Sequence, residues 1–364
     1  MISSIQLQGY RGFGKFEMNG LGRLNLLVGT NNSGKTSVLE ALYLLNSRGD
    51  PSALWQLLWR RGERLAGDRN PRRPQPELDI CHLFTGHELQ VGAKFTVSAR
   101  SHGPDQSISF AVAEVTAKER AELFSHDDDG TLPSRLVLQI KGSPAPLVPA
   151  VPLSRAGGIL VEALESPRRL RRRTTDSAQF VTTESLTSDE LVSHWDKIAL
   201  TPDENLVLKA LQFLDPNIER IAAQAANPYF SAPSRGGFIV KSRGFEHPVP
   251  IGSMGDGMWR MLAMAIAITQ CRNGLLLVDE IDTGLHYTVM GEMWKLIFNA
   301  AKEFNVQVFA TTHSYDCVYS LACVNDSDPA HPITVQRIEM GKLRAIPYSE
   351  NEIRVAAERE IEVR

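Results

Sequence analysis

Gly29-Thr30-Asn31-Asn32-Ser33-Gly34-Lys35-Thr36 follows the apolar run RLNLLV (23–28) and precedes an apolar stretch from Val38 to Leu45. A strand, a glycine-bearing loop and a helix in that order, with G-x-x-x-x-G-K-T as the loop, spell a phosphate-binding loop. Glycine lets successive backbone N–H groups turn toward one anion, and the helix N-terminus adds a favourable dipole. Candidate phosphate contacts are Gly29, Asn31, Asn32, Ser33, Gly34, Lys35, Thr36 and Ser37. Lys35 is expected to reach the β- and γ-oxygens, and Thr36 to offer its hydroxyl to Mg2+. The chain carries no N-K-x-D guanine-recognition motif, which leaves ATP as the expected nucleotide.

Working outward, LLLVDE (275–280) reads as a buried strand that ends in two carboxylates. Acids at the end of an apolar strand are costly unless they are used. Asp279 is expected to hold the metal through its water shell, and Glu280 to orient and polarise the attacking water. Ser253-Met254-Gly255-Asp256-Gly257 stands directly before a helix that is apolar almost all round, MWRMLAMAIAITQ. Ser253, Gly255 and Gly257 there form a candidate second anion site, with a simple N-cap turn as the alternative. His313 follows the strand VQVFATT, at the sheet edge where ligands of open α/β sheets bind. It is a candidate sensor of the γ-phosphate, beside Lys35 and Glu280 in the reaction.

Alternating strands and helices imply an α/β fold with a mostly parallel sheet assembled from both chain ends. The middle breaks that rhythm. The expected division is a head lobe at 1–48, a loop and β-rich insertion at 49–142, an arginine-rich loop and helical arm at 143–235, and a second head lobe at 236–364. Helices are expected near Ser188–Ile198 and Pro202–Leu214, and GFIVKS with HPVPI reads as a hairpin.

The 364 residues carry 43% hydrophobic and 22% charged side chains and a net charge of -3, an ordinary globular balance that excludes a disordered chain. No stretch approaches the ~20 apolar residues of a membrane span, and no leader is visible, so a cytoplasmic protein with no membrane partner is expected. Cys81, Cys271, Cys317 and Cys323 form no CxxC pair and no metal-ligand spacing, so they suggest neither a disulfide framework nor a zinc site. Arg168, Arg169, Arg171, Arg172 and Arg173 form a basic cluster, and Arg60, Arg61, Arg64, Arg69, Arg72 and Arg73 a second. Either could meet DNA phosphates; a solvated loop or a dock for an acidic partner are the alternatives.

The order of phosphate loop, long insertion, Ser/Gly signature, strand-Asp-Glu and strand-His resembles the ABC-type ATPase heads of the SMC, RecF and OLD families. The likeness covers roughly residues 1–48 and 236–320; LLLVDEIDTGLHYTVMGEMWKLI and VFATTHSYDCV look most like the OLD type. It implies ATP hydrolysis in a head-to-tail homodimer, with ATP at Lys35 of one subunit closed over by Ser253 and Gly255 of the other. Arg11, in GYRGFGKF, becomes a candidate phosphate contact, with an ordinary surface arginine as the alternative. The departures are Asn32 where glycine is usual, which should alter the turn; Met254 and Asp256 in the signature; His286 where SMC heads commonly carry Asp; and a glutamine switch loop with only Gln56 to offer for it. OLD nucleases also carry a Toprim domain, for which residues 314–364 are too few. The resemblance thus implies an ATPase switch acting with a separate effector nuclease in anti-phage defence. The alternatives are a RecF-like repair ATPase and an ATP-dependent scaffold holding a toxin partner.

Overall fold

Short apolar runs flanked by turn residues become strands because they bury both faces at once. All five residues of Leu24–Val28 (β3), all four of Leu275–Val278 (β15) and all five of Gln307–Thr311 (β16) are buried. A computed structural model describes residues 1–65, 77–101, 103–115, 136–146, 150–154, 156–160, 178–224, 236–324, 332–359 and 361. The chain divides into two units. One comprises Met1–Asn19, Glu40–Asp176 and Gly341–Ala345; the other comprises Gly20–Leu39, Ser177–Met340 and Ile346–Arg364.

The second unit is built on a six-stranded sheet in the order β11 (Ala178–Val181), β15, β16, β3, β17 (Ile333–Arg337), β18 (Ile346–Ser349). All neighbours run parallel except the edge pair β17 and β18. The register sets Val278 beside Ala310 and Thr311 beside Leu27, so the C-terminal ends of β15, β16 and β3 share one edge. The helix Asp256–Thr269 is buried from Met258 onward, as its nearly all-round apolar sequence requires. The expected hairpin forms as β13 (Phe238–Ser242) and β14 (Val249–Pro250), extended by β12 (Ile218–Ala223).

The first unit holds an antiparallel sheet in the order β2 (Phe13–Asn19), β1 (Ile2–Tyr10), β6 (Lys94–Ser101), β7 (Gln106–Glu114), β8 (Leu136–Ser143), β9 (Ala150–Pro152). Buried and more exposed residues alternate along β6 and β7, the period of a sheet with one covered face. Phe95 and Phe110 stack across that pair with centroids 4.7 Å apart. A small sheet of β10 (Ile159–Leu160), β5 (Glu77–Leu78) and β4 (Arg64–Leu65) completes it.

The expected domain boundaries do not coincide with these units. Residues 1–19, assigned to the head lobe, pair with the inserted strands, because β1 accepts β6 on its free edge. Conversely β11 and the helices Ser188–Ile198 and Pro202–Gln212, assigned to an arm, belong to the second unit. Leu191, Trp195, Ile198, Val207, Ala210 and Leu211 all enter its apolar core. Both helices have strong local starts: a Thr187/Glu190 capping box, and Thr201 as N-cap followed by Pro202. Among the described residues no helix is long and apolar enough to cross a membrane.

Candidate functional site

The phosphate loop leaves β3 at Gly29 and enters the helix Lys35–Asn46. Gly29 (φ 143°) has no room for a side chain, since a Cβ there would overlap the Ile338 carbonyl. Gly34 turns at φ 98°, and Asn32 at φ 62°. Asn32 thus occupies the left-handed region, which asparagine tolerates best after glycine. Thr30, Asn31 and Asn32 are exposed, and Ser37 is half-buried.

Lys35 folds back over the loop, its Nζ donating to the Gly29 and Thr30 carbonyls at 2.9 Å each. Burial pulls its ammonium below the usual lysine range, against the opposing charges of Asp279 and Glu280. The Ser33 hydroxyl is buried with no hydrogen-bond partner. A helix start, a buried hydroxyl and a cradling lysine together fit a phosphate chain.

The adjoining strands bring the carboxylates to the same edge. Thr36 Oγ1 donates toward both oxygens of Asp279 at 3.1 Å, a geometry that fits a shared Mg2+ on an oxygen-only ligand set. Between them stands β16, whose last residue, Thr311, donates to Asp279 Oδ1 at 2.7 Å and accepts from the Glu280 N–H at 2.8 Å. Glu280 itself takes φ 45°, an uncommon conformation for a residue of this kind. Its half-exposed carboxylate has His313 Nε2 at 4.0 Å.

A buried arginine holds the backbone at this turn. Arg260, 2% exposed in the helix Asp256–Thr269, donates to the Asp279 carbonyl at 2.5 Å and the Glu280 carbonyl at 3.0 Å. Its other amino group binds the Thr182 carbonyl and Ser185 Oγ. Burial pushes its pKa down to about 10, with Asp279, Asp282 and Glu280 opposing. Neither Thr311 nor Arg260 was singled out from the sequence. The available signals were a hydroxyl closing an apolar strand, and a lone charge inside MWRMLAMAIAIT.

The remaining expected residues fare differently. Ser253 is exposed in the turn Ile251–Met254, and Gly255 (φ 97°) is the N-cap of the following helix, with no side-chain cap. Ser253 is therefore not the N-cap residue that the simpler reading proposed. Gly257 answers to packing: a Cβ there would stand 2.7 Å from the Gly284 carbonyl. Arg11 is not the ordinary surface arginine of the alternative reading. It is buried, with Nε 2.8 Å from Glu40 Oε2 and Nη1 2.6 Å from Glu63 Oε1, so its donors are committed to carboxylates. Gln56 is no loop residue; it sits inside the helix Pro51–Arg60 and accepts from Tyr43 Oη at 2.8 Å. Arg61 pairs with Glu40 Oε1 at 2.6 Å, and Arg64 stacks on Trp59. Arg69, Arg72, Arg73, Arg168, Arg169, Arg171, Arg172 and Arg173 lie outside the described residues.

Comparison with known proteins places this geometry. A protein-family model described as "AAA domain, putative AbiEii toxin, Type IV TA system" matches residues 24–316. An ATP/GTP phosphatase of Helicobacter pylori is 23% identical, the alignment covering 96% of each chain. Among solved structures, an Smc head bound to the C-winged helix domain of ScpA superposes with TM-score 0.50 at 15% identity, covering 96% of this chain and 98% of that one. The Smc head with an extended coiled coil, bound to the C-terminal domain of ScpA derived from Pyrococcus furiosus, gives TM-score 0.50 at 12% identity over 99% of both chains. The fold is that of a P-loop ABC-type ATPase head.

Proposed function

The chain belongs to the AAA-domain family that its residues 24–316 match, and on that footing we propose that it hydrolyses ATP with Mg2+ at the edge formed by β3, β15 and β16. One observation carries the reading: the hydrogen-bonded line Thr36–Asp279–Thr311–Glu280, which joins the phosphate loop to the candidate base. Lys35 and the loop N–H groups bind the triphosphate. Thr36 and Asp279 would hold the metal, which would neutralise charge on the phosphate oxygens. Glu280 orients water, and His313 stands beside it to contact the terminal phosphate.

Closure by a second copy completes the proposal. Glu280 is half-exposed, and Ser253 and Gly255 lie exposed at a helix start. A site covered by the Ser253/Gly255 turn of a partner subunit excludes water and joins two heads head to tail. Hydrolysis then releases them, so nucleotide state is read out as association. The OLD-like segments suggest a separate effector nuclease in anti-phage defence. The family's description gives a specific reason to prefer, as second reading, a toxin–antitoxin setting with a partner protein.

Steady-state phosphate release tests the core of this. Lys35→Ala is expected to lower turnover at least about 100-fold by weakening nucleotide binding. Glu280→Gln is expected to lower kcat by a similar factor with nucleotide affinity kept within about threefold. Wild-type turnover in either variant would refute the assignment.

A further inference from the structure

A second cluster of chemically capable side chains lies in the first unit, in the turn between β5 and β6. Asp79 Oδ1 accepts from the Cys81 N–H at 2.9 Å, a local turn that fixes the carboxylate beside the next two side chains. Its other oxygen, Oδ2, lies 3.7 Å from His82 Nε2. One ligand atom each from Asp79, Cys81 and His82 falls within 4.8 Å of the others. The second nitrogen of the His82 ring, Nδ1, is 3.1 Å from Nδ1 of His87. All three clustered residues are half-buried, so the site is reachable from solvent.

The histidine pair allows two proton arrangements beside Asp79. Two ring nitrogens at hydrogen-bond distance need one donor and one acceptor. If His87 donates, His82 carries its proton on Nε2 toward the Asp79 carboxylate; if His82 donates from Nδ1, its Nε2 presents a lone pair toward that carboxylate, and this second arrangement is the metal-ready one. Two lone pairs facing each other repel, and a cation placed between them removes the conflict. This is also the usual arrangement of a metal-bound histidine, whose outer N–H is held by a neighbour that fixes ring and tautomer.

We propose that Asp79 Oδ2, Cys81 Sγ and His82 Nε2 bind a zinc-class divalent cation, with His87 positioning the His82 ring and water at a fourth place. One thiolate, one imidazole and one carboxylate suit a borderline-soft ion and not Mg2+, which separates this site from Thr36 and Asp279. Bond lengths of 2.0–2.3 Å space tetrahedral ligand atoms about 3.3–3.6 Å apart, so closure from the present spacing is about an ångström. Binding replaces the Cys81 S–H bond with a metal–sulfur bond and releases the proton to solvent. The ion would clamp a segment already tied to the end of β1 by Arg11 N–H to Leu83 carbonyl at 2.9 Å and Thr85 N–H to Gly9 carbonyl at 3.0 Å. The spacing D-x-C-H with a later histidine resembles no CxxC pattern, so cysteine counting passes over it.

The test is titration of Co2+ into the chelator-treated full chain, read by thiolate-to-cobalt charge-transfer absorption. Expected is one equivalent with tetrahedral bands, displaced by Zn2+. The band should vanish in Cys81→Ser and in His82→Ala, and persist in Cys323→Ser, which alters the exposed free cysteine. His87→Ala should weaken affinity about 10–100-fold. Circular dichroism confirms that each variant is folded. No band in the wild-type chain, or a band that survives Cys81→Ser, overturns the proposal; neither outcome touches the ATP site.

Discussion

At the scale of single residues, the site depends on a side chain that does no chemistry. Arg260 supplies donors to three backbone carbonyls, of Thr182, Asp279 and Glu280, and so holds the left-handed turn that aims the Glu280 carboxylate. Removing a buried, hydrogen-bonded charge leaves those acceptors unpaired. Arg260→Leu is expected to cost about 2–4 kcal/mol of stability and to lower kcat about 10–100-fold. Nucleotide affinity should stay within about threefold, because Lys35 is held by its own loop. Arg260→Lys should recover part of kcat. Denaturant melts with a kcat-against-KM comparison check this, and an equal fall in affinity would deny the positioning role. Lys35, Thr36, Asp279 and Glu280 were legible because each belongs to a local spacing rule. Thr311 and Arg260 act across separate elements, and no local rule marks such residues.

At the scale of elements, close packing constrains the signature turn. Gly257 approaches the Gly284 carbonyl so closely that an added methyl would stand 2.7 Å from it. Gly257→Ala is expected to destabilise the fold by about 1–3 kcal/mol, since backbone must shift to admit it. Gly291→Ala is the matched control. That glycine lies inside the helix Tyr287–Glu303 with nothing near its Cβ position, so the change should be neutral or stabilise by about 0.5–1 kcal/mol. Thermal melts of both variants decide, and equal shifts would remove the packing argument. Both helices were readable near Ser188–Ile198 and Pro202–Leu214 because their patterns are local, and the structure puts their N-caps at Thr187 and Thr201. Where those helices pack was not readable, because an apolar stripe says that a face is buried and not against what.

At the scale of the whole molecule, nucleotide-dependent association is the property to measure. Glu280→Gln in ATP is expected to sediment mainly as a dimer and in ADP as a monomer. Adding Ser253→Arg, which places bulk and charge at an exposed position, should weaken that dimer at least about 100-fold while ATP still binds at Lys35. Sedimentation velocity with parallel nucleotide titration resolves both effects. A Glu280→Gln chain that stays monomeric at saturating ATP would end the head-to-tail reading.

The sequence alone determined the phosphate loop, its strand and helix, the paired acids and the parallel core strands, because each follows from neighbours within about ten residues. Tertiary structure decided the rest. Strand pairing set residues 1–19 on the inserted sheet and Ala178–Val181 on the edge of the parallel one. Packing moved two helices from an expected arm into the core, and burial paired Arg11 with Glu40 and Glu63. The physical reason is common to all three. Edge-to-edge pairing and burial are settled by contacts between residues far apart in the chain, whose partners a linear pattern does not name.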